Sequence, residues 1–182
     1  MKHTILVCLV ALLAAGCASN PFGSRVKEPF SGSSYESNNR FLRAVGKGVS
    51  SADNIAVSKA DIEAKTLLAG QLNSTVKQVA DQYLGQTQNE RAADVADKFQ
   101  SLSRQVMDTD LADVRKIGQQ KYYNEKTKQF TVFIAYEIKK NAMFRFLKKQ
   151  ARVEALQGKL NDKQREVIEQ MLDEQIKATE DN

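Results

Sequence analysis

From Phe41 onward the chain moves between two hydrophobic periods. Phe41-Leu42-Arg43-Ala44-Val45-Gly46-Lys47-Gly48-Val49 reads as a strand whose two glycines mark a bulge or a close backbone approach. Asp53 is a candidate N-cap. Behind it Ala60, Ala64, Leu68, Leu72, Val76, Val79 and Tyr83 recur at spacings of three and four, the stripe of an amphipathic helix. Its early alanines let it lie close on a sheet, and Gly85 is the residue expected to end it. A second helix is predicted from about Asn89, its candidate cap, to Val106, with Ala92, Val95 or Ala96, Phe99 and Leu102 on one face. Leu111 to Tyr123, with Val114, Ile117, Tyr122 and Tyr123, reads as a strand bulged at Gly118, and Asn124 to Lys128 as a hairpin loop. Phe130, Val132, Ile134, Tyr136 and Ile138 then alternate without a break. Phe133 and Ala135 add apolar groups to the opposite face, which predicts a central strand. The helical period returns from Asn141 through Phe144, Leu147, Ala151 and Ala155, and is interrupted at Gly158 and Asn161-Asp162. It resumes over Gln164 to Ala178 through Val167 or Ile168, Met171 or Leu172, and Ile176. The order β-α-α-β-β-α-α predicts an α+β fold: a small antiparallel sheet of about three strands packed against two or more helices, with a helical C-terminal extension.

The part before Phe41 has a different character. Ala18 to about Asn38 holds both prolines (Pro21, Pro29), Gly23, Gly32 and a cluster of serines and asparagines, without apolar periodicity. It reads as a flexible linker with an r.m.s. span of roughly 25 Å. Met1-Lys2-His3 is a short positive start to an apolar run over Thr4 to Ala15. That run is too short to cross roughly 30 Å of hydrocarbon and suits the apolar region of a secretory signal. It closes on Leu13-Ala14-Ala15-Gly16-Cys17, small residues ahead of a cysteine, which resembles the lipobox of bacterial lipoproteins. Alanine stands three places before Cys17, where leucine is commoner in that family. The resemblance implies that Cys17 is acylated and becomes the mature N-terminus, and two or more acyl chains make a stable anchor. Ala18 at the sorting position, with no acid before Glu28, implies the outer membrane and its periplasmic face. The competing reading is an ordinary signal peptide, with Cys17 a free thiol in an oxidising compartment. The resulting organisation is 1–16 signal peptide, 17–38 lipidated N-terminus and tether, 39–140 α+β domain, and 141–182 charged helical segment.

Composition matters mainly through what the signal segment removes. His3 is the chain's one histidine, and Cys8 lies in the same segment, so the mature chain has no histidine, no tryptophan and no thiol beyond Cys17. Ser-His-Asp and Cys-His catalysis, a structural zinc site and an internal disulfide are all excluded. The remaining length suits one domain, and a chain near 150 residues buries roughly 68–70% of its unfolded surface. No cofactor and no small-molecule substrate is expected.

Two motifs carry catalytic or ligand alternatives. Gly46-x-Gly48-x-x-Ser51 follows a strand and precedes a helix, as in a dinucleotide fingerprint, but lacks the third glycine and a following parallel strand. Close helix packing is the plainer reading of its glycines. The carboxylates Asp108, Asp110 and Asp113, or Asp94 and Asp97, could in principle supply a glycosidase pair. Without tryptophan for a sugar platform, Asp94 and Asp97 read as the wet face of the second helix.

Charge is unevenly distributed. Residues 18–110 balance; 111–160 hold 12 basic and 4 acidic residues; 161–182 hold 3 basic and 7 acidic. Lys139, Lys140, Arg145, Lys148, Lys149 and Arg152 form a candidate contact surface, with Phe144 and Phe146 among them. It could meet anionic lipid headgroups or cell-wall carboxylates, or pair with the acidic tail of another copy in a homo-oligomer. The plainer alternative is a solvated basic face neutralised in part by the chain's own tail. Nucleic acid is not expected as a partner of an envelope protein.

Phe41-x-Arg43-Ala44-x-Gly46-x-Gly48 followed by an alanine-bearing helix resembles the Lpp-twenty family of small bacterial outer-membrane lipoproteins, in its Bacteroidetes-type members. Phe99-x-x-Leu102-x-Arg104-x-Val106 and the hairpin Lys121–Lys139 are similar too, so the likeness covers about residues 35–140. It implies a non-enzymatic α+β domain held at the outer membrane as a structural or adaptor module of the cell envelope. It carries over no catalytic residue, and only Cys17 as a functional position. The alternative expectation is a lipoprotein regulator that binds and activates a peptidoglycan synthase.

Overall fold

The computed structural model describes residues 23–24, 26–87, 91–109 and 114–180, with side chains left undescribed over 106–109. The signal segment, Cys17, Asn89, Asp110, Leu111 and Asp113, together with the side chains of Val106 and Asp108, lie outside the described residues. The described elements follow the predicted order: β1 (Phe41–Ser50), α1 (Asp53–Gln86), α2 (Ala92–Thr109), β2 (Arg115–Asn124), β3 (Gln129–Lys139), α3 (Lys140–Leu156) and α4 (Asp162–Glu180).

The strand with apolar residues on both faces takes the middle of the sheet. β3 pairs antiparallel with β1 on one side and β2 on the other, giving the order β1-β3-β2 and an α+β fold. Val132, Ile134, Tyr136 and Ile138 stand opposite Gly48, Gly46, Ala44 and Leu42 on the face that α1 covers. The two glycines of β1 mark a close approach and not a bulge. A Cβ on Gly48 would lie 1.9 Å from the Ala56 carbonyl oxygen, and one on Gly46 would lie 2.2 Å from that of Ala60. The alanines of α1 meet these glycines directly, so helix and strand backbones touch. The bulge sits in β2, where the register with β3 shifts between Lys116 and Gly118, as the sequence suggested.

Every apolar position predicted for α1 is buried except Tyr83, which is half-buried. Asp53 is not the cap. Ala52 holds that position with extended backbone and no side-chain cap, while Asp53 opens the helix and pairs with Lys121 of β2 at 2.6 Å. Gly85 does not stop α1 either; the helix ends one residue later, and extended Thr87 follows it. The break between α3 and α4 has stronger local causes. Gly158, at φ +73, donates to the Ala155 carbonyl while Lys159 donates to that of Glu154, which closes the α3 end in the left-handed manner glycine permits. Asn161 and Gln164 then cap α4 reciprocally, each side chain accepting from the other's backbone N–H at 2.9 and 2.8 Å. The helix therefore starts at Asp162, ahead of the predicted Gln164.

The last two helices share the main core. Phe144, Leu147, Ile168 and Leu172 are buried in the same apolar cluster as Leu68, Phe99 and Ile134. The stretch read as linker also departs from expectation in its second half. Phe30 lies against Gly118 on the outer face of the sheet, with Tyr35 at 5.0 Å between ring centroids. Ser37 accepts from the Arg43 N–H at 2.8 Å, and Asn38 accepts from Arg40 and Phe41 at 2.9 Å. Phe30 fills the notch that Gly118 leaves open, Tyr35 packs on Phe30, and the hydrogen bonds of Ser37 and Asn38 hold the rest, so residues 29–38 form a strap on the domain. Phe133, Ala135 and Glu137, on the side of β3 away from α1, are buried too.

Candidate functional site

The predicted contact surface is built on α3, and the structure answers half of it from within the chain. Arg145, Lys148 and Arg152 recur along one side of α3 and face the antiparallel α4. Arg145 bonds Glu180, Lys148 meets Asp173 at 2.6 Å, and Arg152 meets Glu169 at 2.9 Å. Glu169 also accepts from Arg165 at 3.0 Å. The hydrogen bond from Arg152, joined by that from Arg165, holds the Glu169 carboxyl below its ordinary range despite partial burial. Hydrogen bonds from Arg145 and then Asn141 do the same for Glu180. Lys140 is partly buried, and burial pulls its ammonium below the usual value. Lys139 and Lys149 are exposed and make no ion pair among the described residues. The acidic tail that could have served another copy thus pairs with the basic helix of its own chain.

Sequence reasoning missed two polar clusters, each centred on a buried residue of β3. Glu137 interrupts the apolar run of β3 and is 5% exposed. Arg43 of β1 holds one carboxylate oxygen at 3.0 Å, and Arg115 of β2 holds the other. Burial raises the Glu137 pKa, but the hydrogen bonds from Arg115 and Arg43 outweigh it, so the group stays ionised well below the usual carboxylate range. The cluster ties all three strands together on the outer face. On the inner face the Tyr136 hydroxyl donates to Asp61 of α1, whose carboxylate also holds Lys65 at 2.8 Å. Burial and this hydrogen bond push Tyr136 up to about 12. The signal for both clusters was the pair of ionisable or hydroxyl-bearing residues, Tyr136 and Glu137, set side by side in the central strand.

The glycine motif and the Asp94/Asp97 pair have plain structural settings, while Asp110, Asp113 and the side chain of Asp108 lie outside the described residues. Gly46 and Gly48 face the backbone of α1, which leaves no room for a phosphate between strand and helix. Asp94 and Asp97 are exposed on α2, and Asp94 accepts from Gln164 at 2.5 Å. Among the described residues no three His, Cys, Asp or Glu side chains converge as a metal would require. None of the described helices is long and apolar enough to cross a membrane.

Comparison of the chain with family models, curated proteins and solved structures gives no match. The likeness to the Lpp-twenty lipoproteins therefore rests on the residues quoted for it.

Proposed function

We propose that this chain is a non-enzymatic, lipid-anchored outer-membrane lipoprotein that serves the cell envelope as a structural or adaptor module. The observation that carries the reading is Leu13-Ala14-Ala15-Gly16-Cys17 at the end of a short apolar run. The fold is compatible with that reading: a three-stranded antiparallel sheet is covered by α1, and the last two helices share its core. Glu137 and Tyr136 of the central strand are held by partners inside the domain and join strands and helix.

The strap alters the geometry of the proposed anchor. With residues 29–38 held on the sheet, and the Glu28 carboxylate 4.0 Å from Lys47, the eleven residues from Ala18 to Glu28 separate Cys17 from the strap. Eleven residues extend at most about 36–40 Å, so the domain would hang close to the membrane surface. Expression of the full chain with Cys17→Ala tests the anchor. The expected result is loss of the acylated N-terminal peptide by mass spectrometry and transfer of the protein out of the membrane fraction. Retention of the variant in membranes would remove the proposal. The projecting β2–β3 hairpin also favours a protein-binding role, as an activator of a peptidoglycan synthase would have. Crosslinking in cells separates the two, by self-contacts or contacts with structural proteins on one side and a synthase on the other.

A further inference from the structure

The two edges of the sheet are finished differently. Along β1 the outward groups are occupied by side chains. Arg43 donates to Ser37 Oγ at 2.8 Å, and its carbonyl accepts from Gln71 Nε2 at 2.8 Å. Lys47 donates to Glu63 Oε2 at 2.6 Å, and the Val49 carbonyl accepts from Lys59 Nζ at 3.2 Å. These are all odd-numbered residues, so the even positions of β1 bond β3. By the alternation of an antiparallel ladder, odd positions of β3 then bond the even positions of β2. Gln119, Lys121 and Tyr123 are left with their N–H and C=O groups pointing away from the sheet. None of those groups has a hydrogen-bond partner among the described residues. Apart from Phe30 at Gly118, the faces of β2 are lightly covered: none of its ten residues is buried, and β3 is the element it packs on, while α1 covers β1 and β3.

A bare edge is normally guarded by lysines and bulges, because it would otherwise template pairing with another strand. β2 has both devices, yet lacks the side-chain blockade found on β1. The lysines decide which strand it can accept. Over residues 115–128 the hairpin carries Arg115, Lys116, Lys121, Lys126 and Lys128 against Glu125. Glu137 answers Arg115 while already holding Arg43, and Asp53 answers Lys121. Lys126 and Lys128 make no ion pair among the described residues, and Lys116 donates to Gln119 Oε1 at 3.1 Å while its charge helps to lower the Asp61 pKa. A second copy would add the same cations to the ladder. An acidic strand would meet a surplus of positive charge. It would lie between Tyr122 and Tyr123, which are each 50% exposed and project to opposite faces.

We propose that the open edge of β2 binds an extended acidic segment of a partner protein by strand addition. Backbone hydrogen bonds to Gln119, Lys121 and Tyr123 would supply the affinity, and the surplus positive charge of the hairpin would select for acidic residues. This gives the adaptor reading its partner chemistry, and it does not depend on the lipid, so either can fail without the other.

The test is a titration of the full chain into a fluorescein-labelled peptide of alternating glutamate and valine, about ten residues long to match β2. The expected result is saturable, salt-sensitive binding, lost at least about tenfold when alternate peptide nitrogens are methylated. Gln119→Pro removes an outward N–H while leaving the bonds to β3, and should weaken binding by about tenfold or more. Lys116→Glu should weaken it by roughly threefold to tenfold and flatten its salt dependence. If Gln119→Pro loses its fold by circular dichroism, the methylated and plain peptides on the unaltered chain still decide. Equal affinity for those two peptides overturns the proposal. So does binding of a single-stranded oligonucleotide without the peptide, or self-association abolished by Lys116→Glu.

Discussion

Gly48→Ala tests whether the glycines of β1 exist to admit the helix. The new methyl carbon would stand 1.9 Å from the Ala56 carbonyl oxygen and 2.6 Å from the Ala60 nitrogen. Ordinary contact begins at 3.4 Å, so α1 must retreat locally by about 1.5 Å. Both obstructing atoms are helix backbone, and no side-chain rotation can relieve them. Ala56, Ala60 and Ala64 are fully buried along this stretch, so a retreat also loosens their contacts. Overpacking costs about 1–3 kcal/mol where side chains can shift, and a backbone obstruction belongs near the top of that range. Alanine restricts the unfolded chain and recovers about 0.4–1 kcal/mol, because Gly48 is not at positive φ. The net expectation is a loss of about 2–3 kcal/mol, a large share of a typical domain's 5–15 kcal/mol. Gly70→Ala is the control. It makes the same chemical change in α1, at a position with no atom within 4 Å of the added carbon, and should stabilise by up to about 1 kcal/mol. Urea unfolding followed by circular dichroism reads both, with the m-value checking that the transition is unchanged. If Gly48→Ala unfolds within about 0.5 kcal/mol of the parent, the close-packing account of these glycines is wrong.

Two further outcomes follow from the sheet's outer face. Glu137→Gln should cost about 3 kcal/mol at neutral pH, because Arg43 and Arg115 lose their shared carboxylate in a site where Glu137 is 5% exposed. The folded-state pKa of Glu137 is depressed, so the parent holds this contribution above the ordinary carboxylate value of 4.5 and loses it as pH falls through the lower folded value. The gap between parent and variant should therefore narrow below about pH 4, and a gap independent of pH would contradict the assignment. Gly118→Val should displace the strap and leave the core intact, since a Cβ there meets the Phe30 ring at 2.4 Å. Amide exchange over residues 29–38 should accelerate while exchange in β3 stays slow, and unchanged protection of the strap would count against the docked arrangement.

Most of the architecture was legible because its periods are clean. The α1 stripe from Ala60 to Val79 and the alternation from Phe130 to Ile138 each need one hydrophobic partner surface, and they found each other. Asp53 misled because a capping residue type was present at the helix start, while the chain turned one residue earlier with Ala52 at the cap. Gly85 misled for a related reason: a glycine near a helix end is a stop only when it takes the left-handed conformation, as Gly158 does and Gly85 does not. The strap was missed because its local composition is that of a linker. Phe30 docks on Gly118, with Tyr35 packed on Phe30, and the distance in sequence to Gly118 exceeds any local pattern. The Arg43–Glu137–Arg115 cluster was hidden in the same way, since three strands had to be brought into register before its charges could meet.

Charge shows why segregation along a sequence does not locate a surface. Residues 111–160 hold 12 basic and 4 acidic residues, and α3 looked like the place where that excess would act. A basic helix followed by a capped turn and an acidic helix returns antiparallel on itself. Arg145, Lys148 and Arg152 then meet Glu180, Asp173 and Glu169 before any external anion can. The same block also contains β2 and its turn, where no acidic helix folds back. There the cations outnumber the carboxylates within reach, and they line a strand with one edge unpaired. A partner drawn by charge would find more of it unmatched at Lys126 and Lys128, beside Lys116, than along the face of α3 that meets α4, and would find backbone groups to pair with beside it.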